Sequence, residues 1–196
     1  VLEIGHNEAV LPKAEQVPDE EIVEGQHIKV YVVDVKETDR GPRIMLSRTH
    51  PGLVKRLFET EVPEIFDGTI EIKAISRQAG ARTKMAVWCE NKEIDAVGAC
   101  IGQRGARVNK IVEELAGEKI DIVKYSEDPV EFISEALSPA KVVSVEIQSA
   151  DPKVCLARVP ESQLSLAIGN KGQNVRLAAK LTGWKIDIHP ESGFFG

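Results

Sequence analysis

One short pattern occurs twice in this chain and constrains most of what it can fold into. Cys100-Ile101-Gly102-Gln103-Arg104-Gly105-Ala106-Arg107 comes back as Ala167-Ile168-Gly169-Asn170-Lys171-Gly172-Gln173-Asn174. Each copy sets an apolar residue before Gly-x-x-Gly and keeps acids out of the loop. Each then runs into a helix-like pattern and a strand ending in Lys-Ile-Asp-Ile, at Lys119 to Ile122 and Lys185 to Ile188. A single Gly-x-x-Gly can be no more than a tight corner between packed helices. The same loop, helix and strand in the same order twice is an internal repeat and reads as architecture.

The segments before each loop repeat as well. Leu53, Leu57 and Phe58 fall at helical spacing behind Pro51, and Pro63 ends that stretch. Strands follow over 69–75 and 83–88, then a short helix over 95–101, the loop, and a helix whose apolar face is Val108, Ile111, Val112 and Leu115. A strand over 118–125 completes the unit. The second unit opens on Ser126-Glu127-Asp128-Pro129, a helix-start signal. Phe132, Ile133, Ala136 and Leu137 face its core, and strands follow over 142–147 and 154–159. The helix over 161–168 should bury Leu164 and Leu166. After the loop, a helix carries Val175, Ala178, Ala179 and Leu181, and the strand over 184–188 closes the unit.

Residues 1–49 read differently. Short β-type runs at 1–4, 9–11, 28–35 and 43–47, with a turn cluster at 38–42, suggest a small barrel without its full set of strands. The expected fold class is therefore α+β: a partial OB-type β-barrel over 1–49, then two units over 50–125 and 126–190, each α-β-β-α-α-β, and a tail over 191–196. The short connection between the units predicts rigid packing. Arg48 and His50 fall at the junction with the barrel, where a contact holding the domains in register and a ligand contact both remain open. Trp88 and Trp184 read as packing residues.

The net charge is −6, which on its face disfavours a polyanionic partner. The distribution reverses this. Residues 1–28 hold seven acids and only Lys13 as a base, so the remainder is neutral. No acid lies between Gly98 and Val112, or between Gln163 and Lys185, while both stretches are basic. Local field governs a binding site, because charges are screened beyond about 8 Å at physiological salt. No apolar run approaches the ~18 residues of a membrane span. Three cysteines without a Cys-x-x-Cys suggest neither a disulfide framework nor a zinc site, and no metal or other cofactor is expected. The four scattered histidines read as surface or turn residues.

A loop that grips a phosphate backbone must let the chain come close, offer donors and avoid negative charge. Gly102, Gly105, Gly169 and Gly172 allow close approach and unusual backbone angles. The helices behind the loops direct N–H groups and the positive ends of their dipoles forward. Gln103, Arg104, Asn170 and Lys171 supply side-chain donors. Arg107, Lys110, Arg176, Lys180 and Lys185 could hold phosphates outside the loops. Ile101, Val108 and Ile120, and Ile168, Val175 and Ile186, are candidates for an apolar groove beside them. Aromatics are 5% of the chain and none sits in these loops, so ring stacking is not the expected mode. Such a loop clamps about four nucleotides in a KH domain.

These residues resemble the family of bacterial transcription termination/antitermination factors called NusA. The resemblance lies in Leu46-Ser47-Arg48-Thr49-His50-Pro51-Gly52-Leu53, Glu61-Val62-Pro63-Glu64-Ile65, Gly98-Ala99-Cys100-Ile101-Gly102, Gly117 to Ile122, Ala136 to Val142 and Gln163 to Gly169. It covers nearly all of 1–190. It implies an OB lobe of the ribosomal-protein-S1 type and two type II KH domains packed into one RNA surface. It further implies a cytoplasmic, monomeric, non-catalytic factor that binds single-stranded nascent RNA, meets RNA polymerase through the intact protein, and modulates pausing, termination and antitermination. The chain opens on Val1 rather than Met and is read as a piece of a longer protein. The family's N-terminal polymerase-binding domain and the first OB strand have no counterpart in it. A KH protein of the ribosome or of RNA processing is the alternative. An enzyme reading finds no Gly-x-x-x-x-Gly-Lys-Ser/Thr, His-Glu-x-x-His or Gly-x-Ser-x-Gly.

Overall fold

Residues 1–192 are described by the computed structural model, so residues 193–196 of the expected tail lie outside it. The N-terminal lobe consists of two antiparallel ladders. β1 (Leu2–Ile4) pairs with β2 (Asn7–Ala9), and β3 (Tyr31–Thr38) pairs with β4 (Gly41–Ser47). Ala9, Leu11 and Leu46 form the lobe's core, with Leu2, Ile4, Ile22, Ile28, Val30 and Ile44 against it. The partial barrel is thus built from two hairpins and is not closed. β3 begins at Tyr31, later than the β-branched run starting at Ile28. Ile28 and Val30 still pack inward, but from outside the ladder. The turn is shorter than the cluster at 38–42: only Asp39 and Arg40 link the strands, and the Thr38 hydroxyl donates to the Gly41 carbonyl at 2.6 Å.

The first repeated unit runs α1 (Pro51–Glu61), α2 (Pro63–Phe66), β5 (Ile70–Gln78), β6 (Arg82–Cys89), α3 (Ala96–Ile101), α4 (Ala106–Glu114) and β7 (Lys119–Lys124). Pro63 does end α1, but it also occupies the first turn of α2, where a missing N–H costs no helical bond. The second unit runs α5 (Pro129–Ala136), β8 (Ser144–Ala150), β9 (Lys153–Val159), α6 (Leu164–Ile168), α7 (Gln173–Thr182) and β10 (Lys185–Pro190). Each sheet joins an antiparallel pair to a parallel one, in the orders β5-β6-β7 and β8-β9-β10. Each carries a bulge in its first strand, between Ile72 and Ala74 and between Ile147 and Ser149. The α-β-β-α-α-β order therefore holds twice, with α2 as an addition in the first unit. Both units start alike: His50 Nδ1 accepts from the Gly52 N–H at 2.8 Å, and the Asp128 carboxylate from the Val130 N–H at 3.0 Å.

The two units share a core. Inner-face residues Met85 and Val87 pack with Leu53, Val54, Phe58, Cys100, Ile111 and Leu115. Their neighbours Ala86 and Val123 turn to the opposite face and join Phe132, Ile133, Leu137, Ala178, Leu181 and Trp184 of the second unit. The first sheet is therefore covered on both sides, which explains a β6 that is apolar without alternation from Met85 to Val87. Lys84, fully buried, ties the units further: its Nζ donates to Asp121 at 2.9 Å and to the Ser138 carbonyl at 2.7 Å. Arg82 donates to the same carboxylate at 2.7 Å. One expectation fails here. Leu166 is 43% exposed, and the small Ala167 is what α6 buries, because a five-residue helix presents little more than one residue to the core.

The lobe is fastened by Arg48, which is buried with 2% exposure. Its guanidinium donates to Glu20 at 2.6 and 2.8 Å, to the Lys29 carbonyl, and to the Glu114 carbonyl at the end of α4. The junction alternative left open by the sequence thus resolves for Arg48 as a register contact. His50 caps α1 and stacks on Tyr31, with ring centroids 4.5 Å apart. Beside it, Arg77 and Glu118 form a pair with no side-chain exposure, and Glu118 also accepts from Gly80 N–H and the Thr83 hydroxyl.

Candidate nucleic-acid interface

The two Gly-x-x-Gly loops have the same backbone. Gly102 and Gly169 have φ/ψ of 78/170° and 81/169°. Arg104 and Lys171 both sit at φ 55°, with ψ of 30° and 31°. Gly105 and Gly172 follow at 75/13° and 74/14°. A Cβ on Gly102 would lie 2.9 Å from the Arg107 nitrogen, and one on Gly169 2.6 Å from the Asn174 nitrogen, so the first glycine of each loop lets two backbone segments touch. The second glycines are in the left-handed region and lead directly into α4 and α7. Neither helix has a side-chain cap. Their first turns thus keep the donor groups that a capping residue would occupy, with the positive end of the helix dipole behind them.

The side chains around each loop suit an extended anion. Gln103, Arg104, Asn170 and Lys171 are exposed at the loop tips. Ile101 and Ile168, immediately before the first glycines, are 36% and 37% exposed, two apolar side chains left at the surface in matching places. Val108, Ile120 and Val175 are half-buried and pack against the cores, so each still offers part of its surface. Ile186 does not: it is buried in the core of the second unit, because β10 lies under α7 there. Lys180 and Lys185 are exposed and pair with no carboxylate among the described residues.

Three of the basic candidates have internal partners, the first being Lys110, whose Nζ lies 3.2 Å from Glu61. Arg107 donates to the Ala99 carbonyl at 2.8 Å and to Glu64 at 2.9 Å, so it closes α3 against α4 and is not a free arm. Arg176 donates to the Lys171 carbonyl at 3.0 Å and to Gln78 Oε1 at 3.3 Å. Gln173 reaches the same Gln78 oxygen at 3.2 Å. The second loop is thereby fixed to the end of β5 in the first unit. Sequence reasoning missed Gln78, since a polar turn residue carries no signal of its neighbours. It also missed Asn174, buried and donating to the Leu137 and Ala167 carbonyls at 3.0 and 2.9 Å. An amide among the apolar positions of α7 was the available clue.

Other features offer little to a reaction. Burial pushes the Cys100 thiol up to about 12 and the Cys155 thiol to about 11, so both stay protonated near neutral pH. A cleft of about 640 Å³ lies away from the loops, lined by Trp88, Glu90, Glu93, Tyr125, Glu127 and Glu131 among others, and its acidity is unsuited to phosphate. Among the described residues no helix is long and apolar enough to cross a membrane.

Comparison with known proteins agrees with this geometry. Residues 48–125 match the NusA-like first KH domain, and residues 129–194 the NusA-like second KH domain. The chain is 58% identical over 191 residues to the transcription termination/antitermination protein NusA of Halalkalibacterium halodurans, covering 97% of this chain and 50% of that protein. It is 56% identical to NusA of Bacillus subtilis (96% and 51% covered) and 50% identical to NusA of Thermus thermophilus (97% and 48%). The crystal structure of APE1850 shares the fold, with a TM-score of 0.51 at 24% identity over 69% of this chain and 95% of that one. The chain spans about half the length of these NusA relatives. With the two NusA-like KH domains in tandem behind a β-lobe, and this identity along almost its whole length, the chain belongs to the NusA family.

Proposed function

We propose that this chain is the RNA-binding region of a bacterial transcription elongation factor, and that it grips nascent single-stranded RNA without catalysing a reaction. The observation that carries the reading is the pair of superimposable Gly-x-x-Gly loops, each opening onto an uncapped helix and flanked by an exposed isoleucine and a cation. The proposed contacts are Ile101, Gly102, Gln103, Arg104 and Gly105 in the first unit, and Ile168, Gly169, Asn170, Lys171 and Gly172 in the second. Lys110, Arg176, Lys180 and Lys185 steer phosphates beside them, and Arg107 acts by holding α3 to α4. The proposed division is an OB-type lobe over 1–49, a first KH domain over 50–125 and a second over 126–190. In the intact, cytoplasmic protein, a monomer, this region would work beside RNA polymerase and influence pausing, termination and antitermination. The relatives' shared description as termination/antitermination proteins supports that role.

The test is single-stranded RNA binding across a salt series, comparing the parent with Arg104→Asp/Lys171→Asp. Both side chains are exposed at loop tips, so the fold should survive, and circular dichroism checks this. The expected result is tight binding by the parent, loss of at least about tenfold in the variant, and a shallower dependence on salt. Equal binding by both proteins would make the loops structural corners and end this reading.

A further inference from the structure

The two halves of this surface differ in what already surrounds their cations. On α4, Arg107 Nη1 lies 2.9 Å from Glu64, and Lys110 Nζ lies 3.2 Å from Glu61. The acids sit where α1 hands over to the added helix: Glu61 is the last residue of α1, and Glu64 lies in α2. The second unit has no such helix. Its matching connection reads Leu137-Ser138-Pro139-Ala140-Lys141-Val142-Val143, with a cation and no acid. The position that corresponds to Arg107 is the neutral Asn174, which bonds the Leu137 carbonyl where Arg107 meets a carboxylate. Arg176 touches only neutral oxygens, and Lys171 and Lys180 pair with no carboxylate among the described residues.

Both acid–base pairs on α4 are open to solvent. The side chains are 31% and 37% exposed for Arg107–Glu64, and 67% and 26% for Lys110–Glu61. Exposed pairs are held weakly enough for another anion to compete. A phosphate arriving at α4 meets a carboxylate on Lys110, the cation that would steer it, and a second carboxylate on neighbouring Arg107. One arriving at α7 meets none. Resting on the RNA-binding reading above, we propose that Glu61 and Glu64 limit the affinity of the RNA surface. They suppress the phosphate grip of the first unit at α4, so that the second supplies most of the salt-dependent attraction.

The experiment uses the 196-residue chain with Glu61→Gln/Glu64→Gln and with Glu61→Gln alone. A labelled single-stranded RNA of mixed sequence, about 12 nucleotides long, is titrated from about 50 to about 300 mM KCl by fluorescence anisotropy. The double variant should bind about 3- to 10-fold tighter at low salt, with a log–log salt slope steeper by about 0.7 per cation released. Glu61→Gln alone should show the same direction with a smaller change. It leaves Arg107 and its bond to Ala99 untouched, so it decides the matter if the double variant misfolds. Unchanged affinity and slope in a folded Glu61→Gln protein, or weaker binding, overturns the proposal while parental binding leaves the RNA reading standing. Failure of the parent to bind RNA removes the reading itself, and this inference with it.

Discussion

Gly169→Ala should cost far more than Gly172→Ala, although both remove a glycine from the same loop. At Gly169 the backbone lies at φ 81°, ψ 169°, a region essentially closed to L-residues. A new Cβ would stand 2.6 Å from the Asn174 nitrogen and 2.9 Å from the Asn174 Cβ. Asn174 cannot step aside, because its amide is anchored to the Leu137 and Ala167 carbonyls. Backbone strain of about 1–3 kcal/mol and overlap of similar size give a loss of about 3 kcal/mol or more. At Gly172 the conformation is left-handed, and the nearest atom to a new Cβ is Arg176 Nη1 at 3.9 Å. The strain there is about 1–2 kcal/mol, offset by about 0.4–1 kcal/mol because alanine restricts the unfolded chain. The net cost is near 1 kcal/mol. Urea unfolding followed by circular dichroism and by the fluorescence of buried Trp184 measures the gap. With an m-value of about 2 kcal/mol/M the midpoints should differ by about 1 M. Midpoints within about 0.3 M of each other, or the reverse order, would refute the claim that only the first glycine is a point of backbone contact.

Three further outcomes are expected. Arg48→Ala should destabilise by about 3–5 kcal/mol, because it strands buried Glu20, and protease should then cleave the lobe between residues 20 and 30 much faster. Arg48→Lys should recover little, since one ammonium cannot replace the guanidinium fork. Glu118→Gln should cost about 3 kcal/mol or more by leaving the unexposed Arg77 without its counter-charge, read as a shift in the thermal midpoint. For Asp121, burial raises the carboxyl, but hydrogen bonds from Arg82 and Lys84 and the charge of Lys84 outweigh it and hold it below the usual aspartate range. The folded protein therefore binds fewer protons there than the unfolded chain. The stabilisation is present above the ordinary aspartate value near 3.8 and fades as pH falls through the lower folded value. Asp121→Asn should lower stability at pH 7 and flatten the acid limb of urea midpoints measured against pH.

What could be read from the sequence was what repeats or alternates. The loops, the helices behind them and the Pro-initiated starts at Pro51 and Pro129 follow from local residue chemistry, and they appear where expected. Contacts between distant segments were not legible. Nothing around Lys84 announces that its ammonium is buried between Asp121 and the Ser138 carbonyl. Arg107 looked like a phosphate arm because Glu64 and Ala99 come to it only through the fold. Leu166 looked like core because hydrophobicity was weighed without the length of α6. The apolar run Met85-Ala86-Val87 could have been read as a strand covered on two faces, and it was the one local hint of the shared core.

That shared core also shows what a sheet must offer before another unit can stack on it. The first sheet offers Ala86 and Val123, paired across β6 and β7, as a small, flat seat for the helices of its successor. By strand register the matching pair in the second sheet is Arg158 and His189. Arg158 reaches toward Glu146 and His189 is exposed. A third unit would have to strip water from those polar groups to sit down. That face of the second unit is thus polar, as the outer face of a solenoid's capping repeat is. A graft stacking another unit on this sheet would need alanine- and valine-like residues at 158 and 189 before it could dock.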